Sequence, residues 1–167
     1  MHHYPVKTFA ESAMLTEVIN GGSAMFARGL LVVSGLIMLI YGVVCWIDPE
    51  FPAEAAGLFI ATHDGYGEMT AVFGGFQASF GAILLVSAFL QGYLKPGLWL
   101  LFICLGTVAV ARASVALSGV ESSLQFAANG ASLGIGVSTS FTSYTWGALG
   151  LEVGLTLLAA IALIRQR

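Results

Sequence analysis

The chain has 167 residues, 57% of them hydrophobic and 9% charged, with a formal net charge of −3. Soluble domains carry about 25% charged residues, so an ordinary soluble domain is excluded. The acidic balance also argues against non-specific nucleic-acid binding, which needs a basic face.

In chain order, residues 1–25 read as a polar N-terminal arm and residues 26–167 as one transmembrane domain. Glu11 and Glu17 precede the first apolar run, the wrong order for a cleavable signal peptide, so none is expected. The first run, residues 25–47, stops at Asp48-Pro49, because proline disfavours helix at the residue before it. The second starts at Glu68 and continues to Leu94, and Lys95-Pro96-Gly97 makes a tight connection. The third covers 98–119 and the fourth 144–164. Each run is long enough to cross a hydrocarbon core of about 30 Å at about 1.5 Å per residue. Lipid offers the backbone no hydrogen-bond partners, so helices are expected, and the alternating short strands of a barrel are absent. The expected fold is all-α, an integral membrane four-helix bundle. Its four spans use up the chain and leave no room for a second folded domain.

The connection from Val120 to Ser143 is rich in Gly, Ser and Ala and too polar for a fifth span. It is open to three readings: a flexible loop, a segment on the membrane surface, or a contact with a partner.

Cations set the expected orientation. Lys7, Arg28, Lys95, Arg165 and Arg167 fall on one side of the four spans, while Asp48, Glu50, Glu54, Asp64 and Glu121 occupy the other. The positive-inside rule places both termini and the Lys95 turn of this multi-pass chain in the cytoplasm.

Three ionisable residues fall at bilayer depth: Glu68, Arg112 and Glu152. A charge there costs at least about 2.5–3.5 kcal/mol on insertion scales and usually has a partner. Counting turns from the helix ends puts Arg112 and Glu152 in the same half of the membrane, with Glu68 above them. A Glu–Arg–Glu cluster joining the second, third and fourth spans follows, since a guanidinium fork can serve two carboxylates. Gln77 is a candidate polar neighbour deeper in the bundle. The cluster either fixes helix register or lines a cavity for a proton, an ion or a polar head group.

Small residues suggest close helix contacts. In the second span these are Ala71, Gly75 and Ser79, with Gly74, Ala78 and Ala82 beside them; in the fourth they are Gly147, Gly150 and Gly154. They suit a compact bundle and a subunit interface equally. Trp46, Trp99, Trp146, Tyr93 and Tyr144 lie at run ends, where aromatic belts belong. Cys45 and Cys104 read as core residues, His63 as a solvated loop residue, and His2-His3 as inert. No sequence pattern names a catalytic residue, a metal site or a cofactor.

Around Glu68 the chain reads GEMTAVFGGFQASFGAILL, which resembles the DUF4345 family of bacterial four-span membrane proteins. Glu68, Phe73, Gly74, Gly75, Gln77 and Gly81 match the family's second helix. Thr70 stands where the family has arginine, which leaves Glu68 without a partner on its own helix and favours Arg112. Ala111-Arg112 with the following VALSG, and Glu152 in its apolar run, extend the resemblance over roughly residues 26–165. It implies the four-span fold, the charged positions and a place in a bacterial inner membrane, and it brings no activity with it.

The chemistry so far suggests a non-catalytic accessory or scaffold subunit of a larger membrane complex, with lipids and other membrane subunits as partners and no nucleic acid. The alternative is a small transporter or lipid-binding protein that uses the buried cluster.

Overall fold

A computed structural model describes residues 9–118, 124–128, 131–135 and 141–166, with side chains described for 21–117 and 141–166. Lys7, His2, His3, Glu121 and Arg167 lie outside the described residues. The helices are α1 (Phe9–Ile47), α2 (Glu50–Ala56), α3 (His63–Met69), α4 (Gln77–Phe89), α5 (Leu94–Ser118) and α6 (Ser143–Arg165). A π-helical segment, Thr70–Phe76, joins α3 to α4 without a break. The architecture is an all-α bundle of four long helices, and Gly21–Ile47, His63–Phe89, Leu94–Leu117 and Ser143–Arg165 are each long and apolar enough to cross a membrane.

Several helix ends differ from those the apolar runs suggest. Hydropathy starts the first helix at Met25, but α1 begins at Phe9, so the described part of the N-terminal arm continues the first span as helix. No proline interrupts it there, and Ala10, Glu11, Ala13, Met14 and Leu15 are strong helix formers. The second span begins at His63 rather than Glu68. Thr62 Oγ1 accepts a hydrogen bond from the Gly65 N–H at 3.1 Å, which caps an otherwise orphaned donor. That span ends at Phe89, not Leu94. Gly92 at φ 84° lets the chain turn back, and the Tyr93 N–H donates to Leu90 O at 3.3 Å. α5 then takes in Lys95-Pro96-Gly97 as its first turn, where a proline's missing N–H costs nothing.

The connection read as polar and loose contains an antiparallel hairpin, β1 (Leu124–Ala128) and β2 (Ala131–Ile135), with Leu124 opposite Ile135 and Ala128 opposite Ala131. Asn129-Gly130 separates the paired residues in sequence, and this dipeptide is the composition two-residue hairpins favour.

The core draws on all four long helices. Leu31, Leu84, Leu98 and Leu101 are fully buried, joined by Leu105, Leu155, Ala159 and Ala162. α1 packs mainly on α4 and the π segment, and α5 on α6; contacts of α4 with α5 and α1 with α6 close the bundle. The α1 contact is backbone to backbone. A Cβ added at Gly81 would lie 2.6 Å from Gly35 O, and one at Gly74 would lie 2.8 Å from Trp46 Cα. Gly42 meets the Ala78 backbone in the same way. In lipid, such close approach replaces the hydrophobic drive that water would supply. Gly147, Gly150 and Gly154 of α6 behave differently, since nothing lies within 4 Å of a Cβ built there. That stripe faces away from the bundle.

The two ends of the bundle differ in charge. Asp48, Glu50, Glu54, Asp64 and Glu68 are exposed at the end where α1 finishes and α3 starts, here termed the acidic end. Arg28, Lys95 and Arg165 lie towards the other. At that basic end, Arg165 sits 5.5 Å from the Phe26 ring centroid. Lys95 Nζ donates to Gln166 O, and Gln166 Nε2 donates to Ser23 O, each at 3.5 Å. These contacts tie the end of α6 to α1 and to the Lys95 turn.

Candidate functional site

α5 and α6 carry the charges that meet. In a helix, side chains tilt towards the N-terminus. α5 begins at the basic end, so Arg112 leans towards the membrane interior; α6 begins at the acidic end, so Glu152 leans the opposite way. Placed about 9 Å before the end of α5 and about 13 Å after the start of α6, the two side chains converge.

Arg112 Nε donates to Glu152 Oε1 at 3.2 Å and to Oε2 at 3.1 Å, and Arg112 Nη2 donates to Oε1 at 2.8 Å. Both carboxylate oxygens are therefore engaged. The side chains are 30% and 10% exposed, so the carboxylate is the more deeply enclosed partner. Charge-assisted bonds in this geometry are roughly twice as strong as neutral ones. Thr156 Oγ1 donates to Glu152 O at 2.7 Å, turning its hydroxyl back onto its own helix.

The other two residues of the expected cluster lie elsewhere. Glu68 is exposed and makes no hydrogen bond or ion pair among the described residues, so the three-residue cluster reduces to the Arg112–Glu152 pair. Gln77 donates through Nε2 to Met38 Sδ at 3.0 Å, joining α4 to α1 away from the ion pair.

Two tyrosines complete the polar interior. The hydroxyls of Tyr41 on α1 and Tyr144 on α6 are hydrogen-bonded at 3.0 Å, and both lie within electrostatic range of Arg112. Tyr144 thus does more than sit in an aromatic belt, and Tyr41 joins it although no sequence pattern singles it out. The available signal was a phenol inside an apolar run, since a buried tyrosine hydroxyl needs a partner. The Ser34 hydroxyl, fully buried in α1, has no hydrogen-bond partner among the described residues.

A cavity of about 570 Å³ opens between α5 and α6, lined by Phe102, Gly106, Ala109, Val110, Val153 and Leu157 among others. Its two hydroxyl residues offer little to a polar ligand. Thr107 Oγ1 donates to Ile103 O at 2.8 Å, and Thr156 is bonded as above. Among the described residues no group of three His, Cys, Asp or Glu side chains could hold a metal ion.

At the acidic end, Asp48 Oδ1 accepts from the Glu50 and Phe51 N–H groups at 3.2 and 3.3 Å, and Tyr66 donates its hydroxyl proton to Glu50. Gly57, at φ 71°, ends α2: its N–H donates to Glu54 O and the Leu58 N–H to Ala53 O. This short cap joins the first and second spans.

No protein-family model matches the chain, and neither a curated protein nor a solved structure matches it significantly.

Proposed function

We propose that the chain is a non-catalytic accessory or scaffold subunit of a larger membrane protein complex, held in a bacterial inner membrane with both termini in the cytoplasm. The observation that carries this reading is the uneven enclosure of the bundle. In the most apolar 18-residue stretch of each span, 39% of the residues are buried for the spans starting at Gly21 and His63, 28% for Ser143–Arg165 and 17% for Leu94–Leu117. The open glycine stripe of α6 faces away from the bundle and admits a neighbouring backbone. The ion pair supports a register-holding role, because both Glu152 oxygens are already taken by Arg112. The positive-inside rule supports the orientation, and the resemblance to the DUF4345 family agrees with a four-span bacterial protein without adding an activity.

Mild detergent extraction of native membranes, followed by native mass measurement, tests the proposal. The expected result is a stoichiometric assembly with at least one different subunit. A homogeneous population of single chains carrying only lipid would overturn it.

The apolar cavity between α5 and α6 favours one second reading, that of a lipid-binding protein. It would be supported if one lipid species stayed bound through purification and was displaced by Gly106→Leu.

A further inference from the structure

The cavity and the ion pair between α5 and α6 adjoin one another. Ala109 and Thr156 both line the cavity of about 570 Å³. Arg112 follows Ala109 by three residues and Glu152 precedes Thr156 by four, about one helical turn in each case. The pair therefore stands at the cavity's end towards the acidic side.

Glu152 does not use up the guanidinium. An arginine carries five N–H groups. Glu152 takes the one on Nε and one on Nη2. Both N–H groups of Nη1 and the second of Nη2 have no acceptor among the described residues. The side chain is 30% exposed, so these donors are open to a ligand. In apolar surroundings an unused donor on a charged group is costly.

Depth decides what can supply the acceptor. Arg112 lies about 10 Å from the midpoint of Leu94–Leu117, and Glu152 about 3 Å from the midpoint of Ser143–Arg165. Half of a hydrocarbon core is about 15 Å, so the pair lies within it, below the level of lipid phosphates. An acyl chain fills the cavity and offers no acceptor. An anionic head adds a charge, at bilayer depth, to a pair that is already neutral. What fits is a neutral molecule with a carbonyl at one end and an apolar body. Thr107 and Thr156 spend their hydroxyls on their own helices, so the cavity makes no polar demand on that body. Its volume falls in the usual range for small-molecule sites, about 300–1,000 Å³.

We propose that the cavity and Arg112 together hold a lipid-soluble quinone, with its tail along the cavity and one ring carbonyl accepting from the free guanidinium N–H groups. The inference rests on the lipid-binding reading above and adds the ligand's class and the group that recognises it.

The test titrates the full chain in detergent with decylubiquinone and with decylbenzene, which has the same tail and no oxygen. Binding is measured by equilibrium gel filtration against protein-free micelles. The quinone should bind at least about tenfold more tightly than decylbenzene. Arg112→Met/Glu152→Leu removes the donors without leaving a charge, and should abolish that preference while decylbenzene binds as before. Val110→Trp, at a cavity-lining position that is 71% exposed, should weaken both probes without disturbing the bundle. Thermal unfolding of each variant controls for folding. Equal affinity for the two probes, a preference that survives in the folded double variant, or unchanged quinone binding in Val110→Trp would overturn the proposal. A phospholipid or fatty acid that stays bound through purification and is displaced by Gly106→Leu, with no preference for the quinone, would remove the quinone and leave the lipid-binding reading standing. No retained lipid and no binding of either probe would remove both.

Discussion

Arg112 and Glu152 meet side-on, with Nε shared between the two carboxylate oxygens and Nη2 on the nearer one at 2.8 Å. Each side chain alone would be an uncompensated charge among apolar helices. Together they fix the vertical register of α5 against α6, because a shift of one turn, about 5.4 Å, separates them.

Removing one partner should therefore cost more than removing both. Arg112→Ala or Glu152→Gln should each lower stability by about 2–3 kcal/mol, below the range for fully buried pairs because Arg112 is partly exposed. The double variant Arg112→Met/Glu152→Leu should recover most of that loss, since apolar replacement of a buried pair is often neutral. Thermal unfolding in detergent measures all three. Equal losses in the single and double variants would mean that the pair does not act as a unit.

The tyrosine pair predicts a different pattern. Tyr41 and Tyr144 share one hydrogen bond at 3.0 Å. Tyr41→Phe and Tyr144→Phe should each cost about 1 kcal/mol, and the double variant little more than either single. Additive losses would show that each hydroxyl has a separate partner.

How far this interior can be read from sequence depends on which coordinate is asked for. Depth is legible. Residue counts from the helix ends place Arg112 and Glu152 at levels where antiparallel helices bring them together, and the four spans follow from lipid's lack of hydrogen-bond partners. Direction around the helix axis is much less so. Glu68 sits on the far side of the π segment Thr70–Phe76, whose wider turn changes the phase between Glu68 and the core-facing residues of α4. A strict α-helical count cannot foresee that offset. The same difficulty hides Tyr41, which is level with Tyr144 but far along α1 from the charges of that helix, Glu11, Glu17 and Arg28, so that none marks its inner face. Helix ends are misjudged for another reason. Apolarity marks where lipid contact stops, whereas backbone hydrogen bonding runs on to Phe9 in α1 and starts at Thr62 before the second span. The choice between glycine stripes is a matter of direction again: Gly74 meets α1 while Gly75, its neighbour, does not.

Sidedness gives a prediction that does not depend on any partner. With Cys45 and Cys104 replaced by alanine, a single cysteine at Glu54 should react with a membrane-impermeant maleimide added to intact cells. One at Lys95 should react only after permeabilisation. The two positions lie at opposite ends of the bundle, so reversed labelling would invert the proposed orientation without disturbing the fold.

The glycines offer the sharpest contrast between surfaces that look alike in sequence. Gly42→Ala and Gly81→Ala insert a methyl group where backbone atoms of the opposing helix already stand. α1 and α4 must then separate, at a cost of about 1–3 kcal/mol each, as in other overpacked interiors. Gly150→Ala introduces the same methyl into open space and removes a flexible residue from a helix. In the isolated chain it should be neutral, or stabilising by up to about 1 kcal/mol. In the native assembly the order should change: Gly150→Ala should weaken association if α6 meets a partner there, and do nothing if that face meets lipid. Unfolding of the purified chain and the yield of the intact assembly, measured on the same variants, separate packing within the bundle from packing between subunits.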